Sequence, residues 1–191
     1  MNRRKFLRTA AIGSAVLGSL PTLANPLATP AWAGHNQTNF DFVSNSFAAT
    51  IGGVVHRMLM NGNGKVTPSH VGGGGSFVHF DSAPSAPIPK PIIASGTWKA
   101  KRLVSFELIG TYGSVAAGIA EMEVLLVQDL PSPAVIPATL EIICNLGIAG
   151  LLTGEEEGFI LTIPDAPFGP FIPATPPNGI TIFTTGKKRR D

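Results

Sequence analysis

Between Gly96 and Val127 the chain alternates apolar and polar residues with a period of two. From Trp98 to Leu108 the even positions carry Trp98, Ala100, Arg102, Val104, Phe106 and Leu108, and the odd positions Lys99, Lys101, Leu103, Ser105 and Glu107. Past Gly110-Thr111-Tyr112-Gly113 the even positions are again small or apolar (Gly118, Ala120, Met122, Val124, Leu126), with Glu121 and Glu123 on the odd ones. Side chains on a strand point alternately to its two faces, so this pattern predicts two strands, each with one core face. A hairpin centred near Tyr112 keeps both core faces on one side. It would set Phe106 opposite Gly118, Val104 opposite Ala120, Arg102 opposite Met122, and Lys101 opposite Glu123 as an opposite-charge pair. The rival for Val115 to Val127 is a helix, because Ala-Ala-Gly-Ile-Ala-Glu-Met-Glu is locally helix-compatible; the agreement of both arms on one period favours strands.

Shorter strands are expected at Phe40 to Phe47, Val54 to Met60, Phe77 to Asp81, Ala138 to Leu146, Gly158 to Ile163 and Ile180 to Thr184. Asn61-Gly62-Asn63-Gly64 reads as a tight turn, since Asn and Gly tolerate positive φ. Gly72-Gly73-Gly74-Gly75 reads as a flexible connection, and the Pro-rich stretches 84–91, 130–137 and 164–177 as loops. The chain holds 22 Gly and 17 Pro with 44% hydrophobic residues, a composition of strands joined by many turns. The fold expected is all-β: one antiparallel β-sandwich or small β-barrel of about 7–9 strands.

The N-terminus has a different character. Arg3-Arg4-Lys5-Phe6-Leu7-Arg8 is followed by a modestly apolar stretch from Thr9 to Leu20 and by Ala31-Trp32-Ala33 before Gly34. This layout resembles a bacterial twin-arginine export signal, carried by Arg3, Arg4, Phe6 and Leu7, with a small-residue cleavage site at Ala31, Ala33 and Gly34. The apolar stretch falls short of the roughly 20 residues that span a bilayer, so no stable membrane span is expected in the mature form. The resemblance implies the export machinery as a partner and a periplasmic or extracellular destination for a chain folded before it crosses. The expected organisation is a signal peptide at 1–33, an all-β domain at 34–186 and a basic tail at 187–191. Four of the 14 Lys and Arg lie in the first 33 residues and none of the 12 acids do. The domain at 34–186 keeps six cations against eleven acids, a net −5. A basic surface for nucleic acid is therefore not expected.

Candidate chemistry is sparse. His56, His70 and His79 fall on one expected hairpin, and imidazole suits zinc, copper and related ions, although their spacing matches no metal motif. The Gly72–Gly75 run lacks the Lys-Ser/Thr of a phosphate loop. Glu155-Glu156-Glu157 lacks the Asp/Asn alternation of a calcium loop and reads as a solvated hairpin loop. Cys144, the only cysteine, alternates with Leu140, Ile142 and Leu146 and is expected as a buried small hydrophobe. Glu121 and Glu123 share a face about 7 Å apart, a spacing that a sugar-cleaving pair could use, but an exposed face opposite lysine explains them more simply.

Gly96-Thr97-Trp98 resembles the short string that opens lipocalin barrels. Here it stands past the middle, with too little chain after it for seven further strands, and Trp98 is read as a packing residue. Pro167-Phe168-Gly169-Pro170-Phe171 is expected to cover an open sheet end or line a binding mouth. No catalytic residue and no cofactor can be assigned. The reading is an exported soluble β-domain acting as a non-catalytic binding or envelope-associated module, for a small apolar ligand or an envelope polymer. The rival is a small-barrel enzyme, metal-dependent through its histidines. An enclosed cavity behind the even face of the 98–126 hairpin would mark a ligand site, and a filled interior would leave none there.

Overall fold

A computed structural model describes residues 37–186. The export signal, its cleavage site and the basic tail lie outside the described residues. The strands are β1 (Thr38–Phe47), β2 (His56–Thr67), β3 (His70–Asp81), β4 (Ile92–Tyr112), β5 (Val115–Leu130), β6 (Ala134–Cys144), β7 (Gly158–Thr162), β8 (Ile172–Pro173) and β9 (Gly179–Thr185). One short helix, α1 (Gly147–Gly150), runs into a single 3₁₀ turn at Leu151–Thr153.

The strands form one antiparallel sheet that closes on itself. β1 to β5 pair in sequence order, and the second edge of β5 is divided between two neighbours. Val115 and Ala116 pair with Thr184 and Phe183 of β9, and Gly118 to Gln128 pair with β6. β9 returns directly to β1. β6 returns by a longer route: it pairs with β7, Leu161 bridges to Phe171, and β8 pairs with Ser46 and Phe47 of β1. The ring is therefore closed at one end by β9 and at the other by β6, β7 and β8. Closure removes most free sheet edges, which are otherwise templates for aggregation.

Side chains of the fork between these routes tie it together. The buried Cys144 thiol donates to the Thr181 carbonyl at 3.1 Å, and the Thr181 N–H donates to Glu157 Oε1 at 2.8 Å. Ser46 Oγ donates to the Phe159 carbonyl at 2.7 Å. Desolvation raises the Cys144 pKa, so the thiol stays protonated as a donor. Glu157, expected in a solvated loop, is instead part of the barrel closure.

The interior is filled by side chains from every wall. Phe40, Met58, Met60, Trp98, Ala120, Met122, Val124, Leu126, Leu140, Ile142, Phe159, Leu161, Phe171 and Phe183 belong to one continuous buried core. The even face of β5 packs into it as the alternation predicts, and β4 does so at Trp98, Ala100 and Leu108, but between these Arg102 and Val104 are exposed and Leu103 packs against the core instead. Burying each such large side chain contributes about 1.5–3 kcal/mol.

Two glycine strings behave differently from the turn and the flexible connection expected of them. Asn61-Gly62-Asn63-Gly64 lies inside β2, and Gly72 to Gly75 lie opposite it in β3, with Gly62 facing Gly75 and Gly64 facing Gly73. The hairpin turns instead at Pro68 and Ser69. The reason is steric. A Cβ at Gly62 would overlap the Trp98 ring, and one at Gly64 would overlap Phe40. The bare backbone is a floor on which two large rings lie, and Trp98 Nε1 donates to the Asn61 carbonyl at 2.8 Å.

The β4–β5 register also differs in detail. Trp98 faces Leu126, but irregularities toward the turn shift the pairing so that Phe106 faces Ala120, Arg102 faces Glu123 and Leu108 faces Gly118. Arg102, not Lys101, makes the cross-strand ion pair with Glu123. β6 begins at Ala134, inside an expected loop, and includes Pro137 opposite Leu125. Its pairing with β7 starts only at Thr139, so the proline occupies a stretch with one neighbour, where a missing N–H is tolerated.

Candidate functional site

At one end of the barrel, where β2 starts and β3 stops, two histidines meet. His56 is the register partner of Asp81, and Met58 that of His79. Residues two apart on a strand share a face, so His56 and His79 are diagonal neighbours. His56 Nδ1 lies 2.9 Å from His79 Nε2, so one of these nitrogens carries the shared hydrogen and the other accepts it.

The pair is roofed by aromatic rings. Phe168 lies 4.7 Å from the His56 ring centre and 5.4 Å from that of His79, and Phe171 lies 5.1 Å from His79. His79 is only 4% exposed. Burial, reinforced by the neighbouring His56 charge, pushes its pKa down to about 4. Burial also lowers that of His56, against the opposing pull of Asp81. Both rings are thus neutral near pH 7.

Asp81 is committed elsewhere. Its Oδ1 accepts the Val55 and Ala83 N–H groups at 3.0 and 2.9 Å. The Ala83 bond is the main reason its carboxyl sits below the usual range, with Val55, Lys90 and His56 acting in the same direction. Asp81 therefore fixes the strand end and lends negative charge to the histidine pair.

The segment carrying Phe168 is anchored at both ends. The Ala49 N–H donates to the Phe168 carbonyl at 3.1 Å, and Phe171 exchanges two backbone bonds with Leu161. Outside this roof lies a cleft of about 880 Å³ lined by Phe47, Ala48, Ala49, Pro167, Phe168, Gly169, Pro170, Ile172, Pro173, Ala174 and Thr175. None of these side chains is titratable. Behind Phe47, the Arg57 guanidinium lies between the Phe47 and Phe80 rings, 5.2 and 5.4 Å from their centres, and its Nε donates to Asn45.

Of the three histidines expected to converge, the structure brings two together. His70 stands exposed at the other end of β3, nine residues from His79, which is about 30 Å along a strand. Among the described residues, no group of three or more His, Cys, Asp or Glu is placed to hold a metal ion. Glu121 and Glu123 lie on the barrel exterior, where Glu123 pairs with Arg102 and Glu121 accepts from Ser105. The Pro167–Phe171 stretch covers the barrel end, where Phe171 is fully buried, and the residues before it wall a surface cleft. Phe47, Ala48 and Ala49 were not legible as cleft residues. They join it because β8 pairs back onto the end of β1, a contact more than 120 residues apart in sequence.

The fold and site define a closed antiparallel barrel with a filled interior, a roofed histidine pair at one end and an apolar cleft outside the roof. Comparison with family models, curated proteins and solved structures returns no match. Among the described residues no helix is long and apolar enough to cross a membrane.

Proposed function

We propose that this chain is an exported, non-catalytic binding module whose ligand site is the Phe47–Phe168 cleft, and that the ligand is a small apolar molecule. The observation that carries this reading is the cleft lining: aromatic, prolyl and alanyl surface without a titratable side chain. Such a surface can exclude water from an apolar partner but offers no acid, base or nucleophile. The export part rests on the resemblance of Arg3-Arg4-Lys5-Phe6-Leu7-Arg8 to a twin-arginine signal, with cleavage after Ala33 and release to the periplasm or exterior.

Titrating the ¹⁵N-labelled domain with indole, an uncharged aromatic probe, tests the binding site. We expect saturable shifts confined to Ala48, Ala49, Phe168 and Gly169, and at least a tenfold loss of affinity in Phe47→Ser. Shifts elsewhere, or none up to the solubility limit of indole, would refute the cleft. Replacing Arg3 and Arg4 with Lys tests the export reading, which predicts that the chain then stays in the cytoplasm.

A further inference from the structure

We propose that His56 Nδ1 and His79 Nε2 form a two-nitrogen site for a soft monovalent metal ion such as Cu(I), beneath the Phe168 ring. Two imidazole nitrogens already point at one another across 2.9 Å, sharing a single hydrogen. When that hydrogen moves to the other nitrogen of its own ring, both lone pairs face the same point.

The donors must part by about 1 Å. With metal–nitrogen bonds of about 2.0–2.1 Å and the near-linear angle of a two-coordinate monovalent ion, they stand about 4 Å apart. His79 is held by the core, whereas His56 is only half-buried, so rotation of the His56 ring supplies the opening. Phe168 rests on His56 and moves with it.

The surroundings select the ion. No third carboxylate, thiol or imidazole is placed to join the pair among the described residues, and the walls are Phe168, Phe171 and the buried Met58. A divalent ion would keep an uncompensated charge against phenyl rings and lack the third and fourth ligands that zinc takes. A monovalent ion that is satisfied by two imidazole donors is desolvated at less cost, and the Asp81 carboxylate supplies one balancing charge. The two sites share Phe168, but the metal site rests on the histidine pair and the cleft on its apolar lining, so either can fail without the other.

Silver(I), added as its nitrate in chloride-free buffer, serves as a redox-inert probe. The full chain carries Cys144→Ala, which removes the competing thiol. Native mass spectrometry should show one ion retained per chain, and calorimetry should give a 1:1 isotherm. The imidazole ¹⁵N signals of His56 and His79 should shift while those of His70 stay in place. His56→Gln should lower the affinity at least 100-fold with an unchanged circular dichroism spectrum, His70→Gln should leave it unchanged, and zinc should bind at least tenfold more weakly than silver. Failure of silver to bind, equal binding by the His56→Gln chain, a loss in His70→Gln, or zinc binding as tightly as silver would each overturn the proposal.

Discussion

His79 is a titratable ring held in the barrel wall with its charge suppressed. Its pKa is about 4 in the fold against 6.5 when unperturbed, because protonation would place a cation beside Phe171 and His56. The unfolded chain therefore binds this proton more readily than the folded one between those values. The linked stability is complete above pH 6.5 and is lost as pH falls toward 4, by at most about 3 kcal/mol. His56, lowered in the same direction, adds to the effect. Denaturant midpoints measured from pH 7.5 to 4 should fall more steeply for the parent than for His79→Gln, which has no proton to gain at that position. Parallel curves would refute the neutral buried ring. The sequence placed His56 and His79 on one expected hairpin. It could not show that His56 would sit diagonally opposite, because that depends on the β2–β3 register.

At the scale of elements, β2 and β3 show how composition can mislead about secondary structure. Asn-Gly pairs and a run of four glycines are strong turn and linker signals. Here they form the middle of two twelve-residue strands, because neighbouring strands bring the Trp98 and Phe40 rings down onto them. The local preference loses to a packing demand that only Gly can meet. Gly62→Ala should cost about 1–3 kcal/mol through overlap of its methyl with the Trp98 ring and the Gly74 carbonyl. Urea unfolding followed by tryptophan fluorescence measures this directly, and an unchanged midpoint would mean that the ring does not lie against that backbone. β4 and β5 are the opposite case. Their alternation was legible because the two faces differ in polarity, and the one break in it, Arg102 on the apolar face beside Leu103 on the polar one, falls where irregularities shift the pairing and Leu103 packs against the core.

At the scale of the whole molecule, closure depends on few backbone ladders where β9 diverges from β6 and β7. The Thr181 N–H has a carboxylate as its partner, and its carbonyl has a thiol. Hydrogen bonds to charged groups contribute about 1.5–3 kcal/mol, so Glu157→Ala should destabilise the barrel by about that amount. Hydrogen exchange at the Thr181 amide should accelerate, while Glu157→Gln, which retains an oxygen acceptor, should lose less than half as much. Exchange at Thr181 that is indifferent to Glu157 would show the fork to be held by other contacts.

The sequence by itself determined the class of fold, the two long central strands, the buried Cys144 and the packing role of Trp98. These follow from period-two alternation and from the penalty for exposing apolar area, both local properties of the chain. Tertiary structure alone decided that the sheet closes, that the glycine strings are strands, and that Arg102 rather than Lys101 meets Glu123. It also decided that two of the three candidate histidines meet while the third stands at the far end of its strand. Each of these depends on register and on contacts between residues far apart in sequence. The energy that selects them comes from neighbouring strands and rings, and no short window of the chain contains it.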